Sequence, residues 1–528
     1  MCGISFVVTK RNITGLDCLN DIKHRGPDSD RQIHFKFLDY YVYLVFHRLS
    51  IIDLEHGIQP FYYKDERREV YLLCNGEIYN YKSLIEKYNL DTTSDCEVIL
   101  KMYLKNMSVD DIIKNLDGEF AFTFIVIVKD KINIYFGRDR FGIRPLFYKF
   151  DNTGLFLSSE MKGLPEQDGI QVEPRKIYHT NLLELNIYTY YYIGSKETIY
   201  NENLALELIK TNLTNSVRDR MQSERPIGAL LSGGLDSSLI CGIASNILKE
   251  TGKRLNTFAI GMTDDTPDIV YARKVAKHIN SIHHEIIIPV QKWIDSLENV
   301  IKQIETYDIT TIRASTGQYL ISKWISENTD IKVILNGDGS DELTGGYLYF
   351  FNAPDSEKSH LENLILLNQI HNYDVLRVDR GISAFGLESR VPFLQQNFVD
   401  LYLSIDKNLR NPIRGKRMEK YLLRKAFESE NIIPSEILFR TKEAFSDGCS
   451  NLSKSWFEYI QEYVEKQVSD VEFKTNTNFP SKEAYWYYKI FKKYYPNSQL
   501  KVNYWLPKWT KEHNGNPSAR VLNIYKNE

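Results

Sequence analysis

Apolar positions along the first 195 residues fall in short runs rich in β-branched and aromatic side chains: ISFVV, YYVYLVFHRLSI, EVYLLCN, FAFTFIVIV, INIYFGRD and LFLSS. Such runs predict strands. Arg25-Gly26-Pro27-Asp28, Asn75-Gly76 and Asp117-Gly118 supply turn signals between them. Helical spacing is confined mainly to 80–88 and 95–105. Two packed sheets with flanking helices would bury this pattern. From about residue 201 the period changes. Leu206, Ile209, Leu213 and Val217 recur at helical spacing. Strand-like IGALL, LNTFAIG, EIIIP and IKVIL then alternate with helical stretches, including 236–249 and 269–279. That alternation predicts a parallel α/β sheet. After 350 the pattern is mostly helical. The polar stretch GSKETIYNENL separates the two regimes, so the expected domains are 2–195 and 203–528.

A chain of 528 residues exceeds one ordinary core, which agrees with that division. The net charge of −3 argues against a dedicated nucleic-acid binder. No apolar run reaches the roughly 18 residues of a membrane span, and the apolar N-terminus is too short for a secretory signal. Cys2, Cys18, Cys74, Cys96, Cys241 and Cys449 are scattered without CxxC spacing. They read as reduced thiols and a cytoplasmic location. His283 and His284 lack the HExxH spacing of a zinc helix and read as structural. The 35 Tyr and 26 Phe are read as core filling.

Cys2 follows the initiator and precedes Gly3. Removal of the initiator would leave a thiol and a free α-amine, of pKa about 7.7–8.0, on one residue. Nucleophile and base would then need no separate histidine. A set of motifs follows in order: His24–Asp28, His47–Asp53, Asn75–Asn80, Ser94–Glu97, Asp117–Phe122 and Gly137–Gly142. Together with Cys2 these resemble the glutaminase domain of the N-terminal-nucleophile amidotransferases. The resemblance implies an αββα sandwich of antiparallel sheets. It assigns an oxyanion hole to the Asn75 side chain and the Gly76 N–H. A glutamine zwitterion offers a carboxylate, which Arg48 can fork, and an ammonium, which Glu77 and Asp95 can receive. Leu49, Ser50, Ile51 and Ile52 would line the pocket.

In the second half, IGALL runs into Ser232-Gly233-Gly234-Leu235-Asp236-Ser237-Ser238 and a helix. A glycine turn between strand and helix offers N–H groups to an anion. The Walker lysine is missing. The loop resembles that of the ATP pyrophosphatases, with Asp236 placed for Mg²⁺ on pyrophosphate. A second glycine turn, Asn336–Glu342 with Gly345-Gly346-Tyr347, follows IKVIL. Glu305–Ser315, Glu388–Phe393 and Arg440–Gly448 complete the set, with a tail echo at Trp505–Trp509 and Pro517–Arg520.

From Cys2 to about Gly448 the chain resembles the glutamine-hydrolysing asparagine synthetases, closest to the B type. The resemblance implies that ammonia released at Cys2 travels inside the protein and attacks β-aspartyl-AMP, which forms from aspartate and ATP. Leu230, Ser232, Gly233, Gly234, Ser237, Ile260, Asn336 and Gly337 would contact ATP. Asp236 and Asp341 would hold Mg²⁺, Lys442 would neutralise phosphate, and Thr310 and Arg313 would hold aspartate. A homodimer is the family-like expectation, with no nucleic-acid or membrane partner.

Two departures matter. The family shows Ser-Gly-Glu where this chain has Asn336-Gly337-Asp338, one methylene shorter at a carboxylate tied to the acyl-adenylate chemistry. The family's Pro-Gly near the end of the glutaminase domain is replaced around Glu173–Lys176, which alters a turn. Two rival readings follow: a β-lactam synthetase-like enzyme, against which Cys2, Thr310 and Arg313 argue, and a degraded glutamine-binding paralogue, which Asn336 and Asp338 motivate.

Overall fold

The computed structural model describes residues 1–11, 17–194, 196–443, 445–451, 453–476, 478–510, 513 and 516–518. Ser195, Ala444, Ala519 and Arg520 lie outside the described residues. The N-terminal half contains two six-stranded antiparallel sheets. The first runs Ile170–Gln171, Phe147–Asp151, Gly154–Ser158, Gly3–Thr9, Tyr40–Arg48, Ser29–Phe37. The second runs Leu185–Thr189, Lys176–Thr180, Lys131–Arg138, Gly118–Val128, Glu69–Ile78, Phe61–Lys64.

Strand alternation explains the layering. Ile4, Phe6 and Val8 pack between the sheets with Leu73, Ile125 and Phe136. Val7 points the other way and joins Val45, Phe147 and Phe156 in the core of the C-terminal half. On the second sheet, Leu72, Cys74, Phe122 and Phe124 face outward under the helices Tyr81–Tyr88, Val98–Leu104 and Val109–Asn115.

The C-terminal half holds a five-stranded parallel sheet, ordered Ile282–Ile287, Asn256–Gly261, Ile227–Leu230, Val333–Leu335, Glu388–Arg390. The first three strands run outward in reverse chain order, and the fourth begins again on the other side of Ile227–Leu230. Ligands bind at such a switch point, outside the strands' C-terminal ends. Both glycine turns named above leave the two strands that flank it. The two-domain α/β arrangement expected from the pattern is therefore present.

Two local expectations need correction. Asn75-Gly76 is not a turn; it lies inside Glu69–Ile78, opposite Ala121 and Phe120. Gly76 is needed there because its φ is +152° and an added Cβ would sit 2.0 Å from the Glu119 carbonyl oxygen. The stretch after 350 also contributes a strand, Glu388–Arg390, to the sheet edge. His283 bonds Thr257 at 2.9 Å and His284 stacks on Phe258. Among the described residues no helix is long and apolar enough to cross a membrane.

Candidate active sites

Cys2 stands at the head of the strand Gly3–Thr9. Its N–H donates to Asn75 Oδ1 at 2.9 Å, its carbonyl accepts from Arg25 Nε at 3.1 Å, and its Sγ lies 3.7 Å from the Leu49 carbonyl. The initiator is present in this chain, so the ammonium belongs to Met1. It is buried and bonds Glu388 Oε2 at 2.9 Å. Burial pushes the Cys2 thiol up to about 11. A thiol so raised is a poor nucleophile at neutral pH.

The surroundings of Sγ offer an unused donor and a pinned loop. Asn75 Nδ2 is buried and has no hydrogen-bond partner among the described residues, so it remains free to donate to an oxyanion beside Sγ. Arg48 is buried and held by the carbonyls of Leu54 (3.1 Å) and Asp53 (2.5 Å), which fix its guanidinium and consume part of its donor set. The loop after it is pinned by Ser50 N–H to Asp28 at 2.8 Å and by Glu224 N–H to the Ile51 carbonyl at 3.1 Å. Leu49 and Ile51 pack on Val333, with Ile52 alongside.

Three carboxylates crowd the far wall. Burial pushes Asp95 up to about 6, against the Ile78 N–H that bonds it at 2.9 Å. Burial also raises Glu77, with Glu388 and Asp95 adding to the effect. Arg390 lies 3.3 Å from Glu77 and 2.8 Å from Glu388. Glu388 and Arg390 come from the edge strand of the other half and went unassigned in the sequence. Their only signal was the Glu388–Phe393 motif itself.

The second site opens at the switch point. Every C-terminal residue singled out from sequence lines this one cavity except Gly233: Leu230, Ser232, Gly234, Asp236, Ser237, Ile260, Thr310, Arg313, Asn336, Gly337, Asp338, Asp341 and Lys442. Gly233 shapes the turn instead. Its φ is +72°, and an added Cβ would come within 2.5 Å of the Ala272 backbone. Inside the turn, Ser232 N–H donates to Ser237 Oγ at 3.2 Å, while Arg440 holds the Gly233 carbonyl at 3.1 Å.

Asp236 and Asp341 converge on one ammonium, that of Lys420, 2.5 Å from each. Lys442 adds a bond to Asp341 at 2.6 Å. Against the burial that would raise it, these two lysines hold the Asp341 carboxyl below the usual range. Among the described residues no cluster of three or more His, Cys, Asp or Glu could hold a metal alone. Two convergent carboxylates do fit a magnesium ion whose remaining ligands are phosphate oxygens and water.

Asn336 Nδ2 and Thr310 Oγ1 are buried without a hydrogen-bond partner among the described residues, and both residues line the cavity. Arg313 is already engaged. Its fork takes Glu483 at 2.8 and 2.6 Å, and Asn516 accepts from Nη1 at 2.8 Å. Those partners lie 170 and 203 residues along the chain and could not be read from the motif. Lys420, Arg377 and Asp374 also line the cavity and lie outside the motifs named above, whereas Arg440 opens one of them.

A family model for asparagine synthase matches residues 208–365 and 354–519, and one for a glutamine amidotransferase domain matches 1–213. The glutamine-hydrolysing asparagine synthetases of Cricetulus griseus and Homo sapiens are each 41% identical, over 100% of this chain and 99% of their own length. The chain belongs to the glutamine-hydrolysing asparagine synthetase family. The same identity and coverage hold for the Gallus gallus relative. Among solved structures, the allosteric regulatory enzyme of purine biosynthesis aligns at TM-score 0.32 and 14% identity, over 54% of this chain and 80% of that one. That overlap is too low to carry an argument.

Membership explains why two unlike sites share one chain. The strand Glu388–Arg390 belongs to the synthetase sheet, yet its side chains reach the glutaminase pocket, and Arg390's carbonyl accepts from Asn336 N–H at 2.9 Å. A single three-residue strand thus touches both sites.

Proposed function

We propose that the chain makes asparagine from aspartate, glutamine and ATP, dividing the work between residues 2–195 and 203–528. Loss of Met1 frees the Cys2 amine, which takes the thiol proton. The thiolate attacks the glutamine side-chain carbonyl, and Asn75 and Gly76 stabilise the oxyanion. The Cys2 ammonium returns that proton to the leaving nitrogen, the C–N bond breaks, ammonia leaves, and water hydrolyses the thioester to glutamate and the free thiol. Arg48 anchors the glutamine carboxylate, while Glu77 and Asp95 take its ammonium.

In the second site aspartate's β-carboxylate attacks the α-phosphate of ATP, releasing pyrophosphate. Leu230, Ser232, Gly234, Ser237, Ile260, Asn336 and Gly337 hold the nucleotide, Lys442 offsets phosphate charge, and Thr310 and Arg313 face aspartate. Asp236 and Asp341 would hold Mg²⁺, which when bound neutralises charge on the departing pyrophosphate. Ammonia then attacks the β-aspartyl-AMP carbonyl, a proton passes to Asp338, and AMP departs with the bonding electrons. The remaining assignments are a cytoplasmic location, a homodimer, and no nucleic-acid or membrane partner.

One observation carries this reading best. Side chains from one short strand stand in the glutaminase pocket, while its backbone meets the nucleotide turn. The test is a balance of products. Asparagine, AMP and pyrophosphate should appear in equal amounts from aspartate, Mg-ATP and either glutamine or ammonium. Absence of AMP in protein shown to lack Met1 would refute it.

A further inference from the structure

Asp338 sits on a turn whose backbone cannot slide. Its N–H donates to Asn336 Oδ1 at 3.1 Å. Gly337 is pressed so closely on the first turn of the helix Leu235–Lys249 that an added Cβ would lie 2.9 Å from Ser237 N. Gly339, at φ +88°, turns the chain directly after it, with Leu394 within 2.5 Å of an added Cβ. A short carboxylate on so fixed a base reaches only as far as its one methylene allows. Whatever directs it must come from the opposite wall.

That wall is the helix Asp374–Ser383. Its Arg377 lines the cavity, donates from Nη2 to Asp338 Oδ1, and donates from Nη1 to Asp374 Oδ1. The guanidinium therefore stands braced between two carboxylates. The helix is itself clamped. Asp379 takes both ends of the Arg25 fork at 2.8 and 3.1 Å, and Arg380 bonds Glu305 at 2.5 Å. Arg377 cannot drift without moving that frame. Its Nε is buried and has no hydrogen-bond partner among the described residues, so the hydrogen bonds that orient it there go to Asp338 and Asp374.

We propose that Arg377 is a positioning residue for the amide-forming step, setting where the short Asp338 carboxylate meets the attacking ammonia. The inference rests on the reading above and names a residue that lies outside the motifs. A misplacement of about 1 Å costs roughly 100-fold in rate. Arg377→Met should therefore lower kcat for ammonium-dependent asparagine formation about 100-fold and leave KM for aspartate within about threefold. Arg377→Lys keeps the charge on a flexible stem and should recover part of the loss.

The decisive comparison is a cycle with Asp338→Asn. If Arg377 acts through Asp338, the double variant should be no slower than Asp338→Asn alone, within about threefold. Thermal midpoints of all four full-length proteins report folding, and Arg377→Lys serves if Arg377→Met does not fold. A raised KM for aspartate at unchanged kcat would make Arg377 a substrate ligand and overturn the proposal. Multiplicative losses in the double variant would overturn it as well. Wild type that makes no asparagine would instead defeat the functional reading, whereas active wild type with unaffected Arg377 variants defeats this inference alone.

Discussion

The two sites balance their charges in opposite ways. In the glutaminase pocket Glu77, Asp95 and Glu388 crowd together, and burial raises Glu77 and Asp95. Arg390 pairs with Glu77 and Glu388, while Asp95 has no cationic partner among the described residues and can take an ammonium. In the synthetase cavity Lys420 bridges Asp236 and Asp341, Lys442 joins Asp341, and Arg313 closes on Glu483. There the charges cancel one another before any ligand arrives. On the proposed function, the first site receives a cation, whereas the second exchanges internal partners for a nucleotide. The difference suits a zwitterion in one case and a polyphosphate in the other.

The contrast can be broken at its extremes. Cys2→Ala removes the nucleophile and should cut glutaminase activity by about 1000-fold or more, while ammonium-dependent synthesis stays within about twofold. Parallel loss of both, measured side by side as glutamate and asparagine release, would deny the division of labour.

Next in size is the seam between the halves. Arg25 is fully buried, pairs with Glu160 at 2.6 Å and Asp379, and also holds the Cys2 carbonyl. Arg25→Leu removes a cation shared by two buried carboxylates, leaving Glu160 with Lys162 at 2.7 Å and Asp379 with Arg144 at 3.6 Å, and should cost about 3 kcal/mol of stability in denaturant unfolding. A change below about 1 kcal/mol would mean that water reaches the seam.

Lys420→Gln tests the self-cancelled site. It leaves Asp236 and Asp341 without their shared ammonium and should slow synthesis about 100-fold. Glutaminase activity should hardly change, because Lys420 touches nothing in that pocket. Equal loss in both assays would place Lys420 in folding.

The smallest effect is the pH limb of glutamine binding. With its carboxyl raised to about 6, Asp95 is ionised at pH 7 and mostly protonated at pH 5. Since an ammonium needs the ionised form, KM for glutamine should rise about tenfold per pH unit below 6. Sign and window follow from the upward shift. An unshifted aspartate would produce this limb near pH 4. Asp95→Asn should flatten it.

Legibility in the sequence followed locality. The strand Ile227–Leu230, its glycine turn and the helix Leu235–Lys249 are adjacent in sequence, so the strand–turn–helix unit could be read directly. Thirteen of the fourteen C-terminal residues singled out beforehand line the cavity. The Asn75-Gly76 pair was misread because a glycine needed for close strand approach looks the same as one needed for a turn. Glu388–Arg390 escaped because three buried polar residues carry no strand pattern; the partner strand Val333–Leu335 imposes the conformation. Glu483 and Asn516 could not be connected with Arg313, since only folding brings them together.

The central claim is that chemistry at the first site waits on a terminal amine freed beside the thiol. Its most direct measurement pairs intact mass with activity on protein fractions that keep or lack Met1. Fractions lacking Met1 should hydrolyse glutamine, while fractions keeping it should make asparagine from ammonium alone. Full glutamine-dependent turnover in protein that still carries Met1 would contradict the account.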